Sequence, residues 1–262
     1  MSSLSLYSAA TGMQAQQTNL DVISNNIANV NTTGFKKNTV EFQDMLYQDV
    51  RAAGGESGGG NTIPTNVQLG NGTEIVSTSK TFTQGNLQQT DRQLDVAIEG
   101  DGFFRVERPD GTDAFTRDGA LKINSDGDIT TSDGLLVQDG FQPVPDDVTD
   151  ISITSNGNVT YTLADGATQS SQVEINRFVN PGGLKAIGRN LFVETEASGA
   201  PQTGTPDEEN FGALQQGFLE KSNVSVVNEM VDMIVAQRAF ETNSKAIQTS
   251  DQMLSQVNQL KR

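Results

Sequence analysis

The chain has 262 residues, a formal net charge of −16 and a hydrophobic content of only 34%. It contains no Cys, His or Trp, which excludes disulfides, thiolate chemistry and the commonest general base and metal ligand. We therefore expect no cofactor and no metal site. The acidity makes nucleic acid a poor partner. The low hydrophobic content predicts that much of the chain lies exposed or packs only against other chains.

The first segment, from Met1 to about Asn29, has the spacing of an amphipathic helix that packs against a partner helix. Asp21 is the only charged residue among the first 30, which suits burial among other helices. The apolar residues are spaced apart and the start is not basic, so the segment resembles neither a signal peptide nor a membrane span. One apolar row recurs every seven residues: Leu6, Met13, Leu20 and Ile27.

The next stretch, Asn25 to Phe35, is rich in Asn, Thr and Gly. Asn and Thr side chains compete for their own backbone, and Gly34 can adopt the left-handed conformation that ends a helix. The helix is therefore predicted to end between Val30 and Gly34.

A Gly-rich run at residues 52–61 predicts a flexible loop. It contains Gly55-Glu56-Ser57-Gly58-Gly59, which formally matches the nucleophile elbow of hydrolases. We interpret the match as accidental, because no strand is predicted before it and the chain has no His to act as a base. Further on, Asn71-Gly72 is a candidate hairpin turn.

The region from Leu94 to Val193 is predicted to be all-β, because Asp-Gly turn signals separate short β-rich segments. The strongest hairpin prediction is centred on Asn156-Gly157, between two alternating segments. The acidic run from Asn124 to Asp128 does not fit an EF-hand loop, since Ile129 stands where Gly is required. We therefore interpret these acids as turn residues.

The last helix is predicted to begin near Ser225, a good N-cap. Two ends with heptad spacing around a β-rich middle favour mutual pairing over a last helix packed alone on its own domain. This helix has its own seven-residue row: Val226, Met233, Phe240, Ile247 and Leu254.

The predicted fold class is α+β, with N- and C-terminal helices paired in a coiled-coil-like domain and an all-β domain inserted between them. Residues 1–34 and 222–262 are expected to form the terminal helical domain. Residues 35–93 and 195–221 are expected to form a small mixed connecting region that carries the Gly-rich loop. Residues 94–194 are expected to form a β-rich outer domain.

Four stretches, in order along the chain, resemble the rod, hook and hook-associated proteins of the bacterial flagellum. Three of them are Leu94 to Phe104, Phe115 to Gly119 and Gly217 to Leu254. The first is the N-terminal signature, whose matching residues are Asn26, Ala28, Asn29, Asn31, Thr32, Gly34 and Phe35. Within the family the chain is most similar to distal rod proteins of the basal body, since its length and an insertion at residues 48–65 favour them over proximal rod proteins.

The resemblance implies a structural subunit, not an enzyme, that polymerises into a helical tubular drive shaft and transmits torque to the hook. The implied partners are copies of itself, proximal rod and hook proteins, the rings of the peptidoglycan layer and outer membrane, and the type III export apparatus. The implied location is the periplasm-spanning basal body, reached without a cleaved signal peptide. A proximal rod or short hook subunit is the nearest alternative. A secreted adhesin and a cell-wall hydrolase are hypotheses of other classes.

Overall fold

The computed structural model describes residues 2–51, 56–57, 61–62, 65–145, 147–208 and 210–260. The chain forms two compact units. The first, which we name the helical unit, comprises Met1–Ile27, Asn38–Ser79 and Val226–Arg262. The second, the strand unit, comprises Ala28–Lys37 and Lys80–Ser225. Helices at both ends of the chain and strands between them confirm the α+β class.

Two long helices and a set of paired strands make up the helical unit. Neither helix, within the residues described, has an apolar run long enough to cross a membrane. The elements are α1 (Ser2–Ala28), β1 (Asn38–Asp44), β2 (Gln48–Arg51), β3 (Glu56–Ser57), β4 (Asn61–Thr62), β5 (Val67–Leu69), β6 (Thr73–Lys80) and α2 (Val226–Leu260).

Among its described residues, the strand unit contains sixteen strands and one 3₁₀ turn at Pro181–Gly183. The first eight strands are β7 (Leu87–Gln89), β8 (Val96–Glu99), β9 (Phe104–Glu107), β10 (Asp113–Thr116), β11 (Lys122–Ile123), β12 (Ile129–Thr130), β13 (Leu136–Val137) and β14 (Val148–Ile153). The others are β15 (Asn158–Leu163), β16 (Thr168–Gln172), β17 (Ile175–Arg177), β18 (Lys185–Gly188), β19 (Leu191–Val193), β20 (Gln202–Gly204), β21 (Ala213–Gln216) and β22 (Phe218–Glu220).

The two helices contact each other in antiparallel order. Three contacts mark the pair: Ser5 Oγ lies 3.5 Å from Ser250 Oγ, a Cβ on Gly12 would lie 2.8 Å from Asn243 Nδ2, and Asn26 Nδ2 donates to Glu229 Oε2 at 3.1 Å. The positions on each helix differ by multiples of seven, so the contacts follow one line along each helix. Small and polar side chains occupy this line.

The described residues between 38 and 80 form an antiparallel ribbon, in which β1 pairs with β6, β2 with β5 and β3 with β4. The prediction that no strand precedes the Ser57 motif is therefore wrong, because β2 ends just before the Gly-rich run. Gly55, Gly58 and Gly59 lie outside the described residues.

The hairpin prediction at Asn71-Gly72 is also wrong, because these residues separate β5 from β6 on one side of the ribbon. The ribbon breaks at this point: Asn71 Nδ2 donates to the Leu46 carbonyl at 2.6 Å, and Gly72 has a φ of 105°. Tertiary packing favours the break, since a Cβ on Gly72 would lie 2.2 Å from Thr11 Oγ1.

The strand unit is built on a seven-stranded sheet with the order β11-β12-β13-β9-β10-β19-β18, accompanied by the three-stranded sheet β14-β15-β16. Side chains alternate along β9, so Phe104 and Val106 are buried in the core. The hairpin predicted at Asn156-Gly157 is confirmed: it joins β14 to β15, with Gly157 at a φ of 81°.

Strands near the end of the chain complete the strand unit. β21 pairs with β8 and β22 pairs with β7. Leu214 of β21 is buried in the same core as Ile98 of β8. The core of the strand unit therefore includes residues far beyond Val193.

We predict that residues 94–194 expressed alone will not fold cooperatively, whereas residues 28–225 will. The shorter fragment lacks β21 and β22 and so exposes the apolar surface that Leu214 covers, at a cost of about 2–5 kcal/mol for this side chain alone. Urea unfolding followed by circular dichroism compares the two fragments. A sharp single transition in residues 94–194 would contradict the prediction.

A buried carboxylate predicts a pH effect on the strand unit. Asp139 accepts hydrogen bonds from Arg105 N and Asn176 Nδ2. Burial raises the pKa of Asp139 to about 6, although the Arg105 charge opposes the shift. Since the folded-state pKa exceeds the unfolded one, this group contributes stability below about pH 4, which is lost as the pH rises through about 6.

Asp139→Asn should therefore remove part of the decline in unfolding free energy between pH 4 and pH 7, a part of at most about 3 kcal/mol. Asn also tolerates the left-handed backbone at this position, where φ is 69°. Urea unfolding of both proteins across this pH range measures the difference. Identical pH slopes would show that the Asp139 carboxyl does not titrate as expected.

Candidate functional site

Three charged side chains meet in the interior of the strand unit: Lys36, Arg117 and Glu220. We name them the charged cluster. Lys36 Nζ lies 2.7 Å from Glu220 Oε1, and Arg117 Nε lies 3.0 Å from Glu220 Oε2. All three side chains are at most 3% exposed. The Gly85 amide also donates to Glu220 Oε1, at 2.8 Å, so one carboxylate joins three separate parts of the chain.

The two cations of the charged cluster also bind backbone carbonyls. The guanidinium of Arg117 donates to the carbonyls of Gly102 at 3.0 Å and Gly100 at 2.7 Å. Its carbon lies 5.7 Å from the centre of the Phe103 ring, within the range of a cation–π contact. Lys36 Nζ donates to the Thr83 carbonyl at 2.8 Å. The charged cluster therefore fixes loops as well as side chains.

Burial and charge act against each other at this site. Burial lowers the pKa of Lys36 to about 8, the Arg117 charge lowers it as well, and Glu220 opposes both. Burial acts to raise the pKa of Glu220, but the charges of Arg117 and Lys36 outweigh it and hold that pKa below its usual range. At neutral pH the charged cluster holds two positive charges and one negative charge.

Asn26, in the N-terminal signature, joins three segments of the helical unit. Its Nδ2 donates to the Asn38 carbonyl at 2.9 Å, and its Oδ1 accepts from the Asn38 amide at 2.9 Å. The same Nδ2 donates to Glu229 Oε2 of α2. A side-chain amide can satisfy a backbone N–H and C=O together in this way, so Asn26 connects the end of α1 to β1 and to α2.

Gly34 of the signature has a different role. Its amide donates to the Glu220 carbonyl at 2.8 Å, and its φ is 66°. A Cβ at this position would lie 2.8 Å from the Asp118 amide nitrogen. Both the backbone conformation and the lack of space require glycine.

The remaining signature residues have less specific surroundings. Phe35 is buried, and Lys80 Nζ lies 4.9 Å from the centre of its ring. Thr32 Oγ1 donates to Asn29 Oδ1 at 3.1 Å. Ala28 and Asn31 are exposed. α1 ends at Ala28, one residue before the end at about Asn29 that the apolar spacing predicted and before the stop predicted between Val30 and Gly34.

Within one chain, the seven-residue rows of the two helices are only partly covered. Val226 is exposed. The other residues of the rows are half-buried: Leu6, Met13, Leu20, Ile27, Met233, Phe240, Ile247 and Leu254. The structure buries a neighbouring row of α2 more deeply, namely Glu229, Ala236 and Ser250. This row has the same seven-residue spacing, but a search for hydrophobic periodicity passes over it because its members are polar or small.

The N-terminal half of α2 carries an exposed apolar surface. We name it the α2 apolar surface, and its residues are Val227 (72% exposed), Met230 (54%), Val231 (54%), Ile234 (49%) and Val235 (61%). Exposed apolar side chains grouped on one helix face are typical of surfaces that bind another protein.

The four stretches that carry the sequence resemblance converge on the charged cluster. Gly34 lies at the end of the first and Lys36 directly after it, Gly102 lies in the second, Arg117 in the third and Glu220 in the fourth. Sequence reasoning identified the stretches but missed their meeting point and the roles of Lys36 and Glu220. The signal that could have indicated it is a charged residue within or directly after three of the stretches, namely Lys36, Arg117 and Glu220.

Comparisons with known proteins cover the same stretches. Three family models match: "Flagella basal body rod protein" over residues 6–36, "Flagellar hook protein FlgE/F/G D1 domain" over 97–161 and "Flagellar basal body rod FlgEFG protein C-terminal" over 215–260. The flagellar basal-body rod protein FlgG of Borreliella burgdorferi is 49% identical over 98% of both chains. FlgG of Caulobacter vibrioides is 48% identical over 98% of both chains, and FlgG of Bacillus subtilis is 45% identical over 98% of this chain and 99% of its own. The chain thus belongs to the FlgG family of flagellar basal-body rod proteins.

Proposed function

We propose that this protein is the structural subunit of the flagellar distal rod, which polymerises into a helical tube and transmits torque to the hook. The observation that carries the proposal is identity of up to 49% with FlgG proteins over 98% of the chain. Family membership makes the role structural rather than enzymatic. It also argues against the adhesin and cell-wall hydrolase hypotheses.

The helices of the helical unit are proposed to form the core of the polymer. The α2 apolar surface and the half-buried rows support this, because both leave apolar area for neighbouring subunits to cover. Contacts between unlike surfaces that do not close into a ring generate a helical polymer. Coiled-coil-like pairing of α1 with α2 is supported by their antiparallel contacts at seven-residue steps. The three-part domain division stays a prediction for the assembled rod.

The ribbon of residues 38–80 is proposed to pack against a neighbouring subunit. Leu46 is 89% exposed, and Tyr47 and Val50 are exposed beside it. A two-stranded ribbon is marginally stable in water on its own. Burial of these side chains in the polymer would stabilise the ribbon. The described residues of the insertion at 48–65 belong to the ribbon, and this supports the distal rod over the proximal rod and short hook alternatives.

The finer partners are proposed from the family. They are proximal rod proteins below, hook proteins above, the surrounding rings of the peptidoglycan layer and outer membrane, and the type III export apparatus that delivers the subunit without cleaving it. The location proposed is the part of the basal body that spans the periplasm.

Deletion of the gene should stop basal-body assembly before the distal rod, so that cells have no hooks and do not swim. The wild-type gene supplied in trans should restore both. Electron microscopy of purified basal bodies measures the rod directly. Hooks of normal length on the deletion strain would contradict the proposed function.

A further inference from the structure

The chain passes between the two units at four points, and three of them lie next to the charged cluster. Lys36 precedes the passage at residues 37/38, and Glu220 belongs to the segment that leads to the passage at 225/226. The segment from Lys80 to Gly85 follows the passage at 79/80. We name these three pieces of the strand unit, residues 34–37, 80–85 and 220–223, the crossing segments.

Hydrogen bonds join the crossing segments to one another. The Lys37 amide donates to Asn223 Oδ1 at 2.8 Å, and the Thr81 amide donates to the Lys37 carbonyl at 3.0 Å. Asn223 Nδ2 donates to the Thr81 carbonyl at 2.8 Å. Together with the Gly34–Glu220 hydrogen bond, these contacts hold all three segments side by side, and Lys36 links them through Glu220 and Thr83.

Stability alone does not account for Lys36. The charged cluster already contains a balanced pair in Arg117 and Glu220, so Lys36 adds a second buried cation. Burial disfavours its charged form, as the lowered pKa of Lys36 indicates. Replacement of buried ionic groups by apolar side chains of similar size is often neutral or stabilising. What a Met at this position would lack is the two directed hydrogen bonds from Nζ.

We infer that Lys36 is a positioning residue, which with Arg117 and Glu220 holds the crossing segments at fixed mutual positions. A polymer with one helical geometry requires every subunit to present its surfaces in the same arrangement. The cluster fixes the strand-unit ends of three of the four connections to the helical unit. The expected effect on rod assembly rests on the proposed function, whereas the positioning of the crossing segments does not.

The test is Lys36→Met in the full-length chain, with Lys221→Met as the matched control. Lys221 is a half-buried lysine next to Glu220. For Lys36→Met we expect an unchanged urea midpoint, together with about tenfold faster amide exchange at Gly34, Lys37 and Thr81. In cells that carry the variant as their only copy, distal rods and swimming should be reduced. The control should match the wild type in all three measurements.

Three results would overturn the inference. Wild-type exchange rates at these amides would show that Lys36 does not position the segments, and a large fall in the urea midpoint would assign it to stability. Faster exchange with normal rods would show that their positions do not matter for assembly. The exchange measurement uses the purified monomer, so its result does not depend on the proposed rod function. Complementation by the wild-type gene tests the rod function separately.

Discussion

Replacing Phe240 with Asp should abolish rod polymerisation while the strand unit stays folded. Phe240 lies in the middle of the seven-residue row of α2 and is half-buried in the single chain. Loss of a large apolar side chain costs about 2–5 kcal/mol of packing. A carboxylate at a surface that neighbouring subunits cover would also be desolvated without a partner. Electron microscopy of basal bodies and swimming assays measure assembly, and near-ultraviolet circular dichroism checks the strand unit.

The control for this substitution is an exposed residue of the same helix. Ser244 lies off the row but is half-buried, whereas Gln248 is exposed. Gln248→Asp should therefore be much milder than Phe240→Asp. Normal rods and normal swimming with Phe240→Asp would refute the proposed helical core, even though family membership would stand.

Replacing Glu220 with Gln should destabilise the strand unit by about 3–5 kcal/mol, because it leaves Lys36 and Arg117 buried without a counter-charge. Gln can still accept from the Gly85 amide, so the loss is mainly one of charge. Urea unfolding of residues 28–225 measures the effect. Glu196→Gln, at an exposed position, is the control and should change the unfolding free energy little.

A double variant tests the origin of that loss. Adding Lys36→Met to Glu220→Gln removes one of the two unpaired cations, so part of the lost stability should return. The four proteins form a double-mutant cycle, whose coupling energy isolates the interaction between the two positions. Purely additive effects would show that Lys36 and Glu220 do not interact. An unchanged urea midpoint for Glu220→Gln alone would show that the Glu220 charge does not stabilise the strand unit.

Several features follow from short stretches of sequence. Apolar spacing predicted α1 to about Asn29 and the Asn-rich stretch predicted a stop between Val30 and Gly34, and the helix ends at Ala28. The start of α2 was expected near Ser225, and the helix begins at Val226. The hairpin at Asn156-Gly157 also formed as predicted. In each case residues within a few positions of one another determine the backbone, so the sequence by itself was sufficient.

Other features depend on residues far apart in the chain, and only the tertiary structure decided them. Asn71-Gly72 has the composition of a hairpin turn, but β5 before it pairs with β2 and β6 after it pairs with β1, so it forms a break in the ribbon. Lys36 and Glu220 are 184 positions apart, and no local sequence pattern predicts their contact. Buried charges are tolerated only where distant partners meet them, so the charged cluster becomes visible only after the chain has folded.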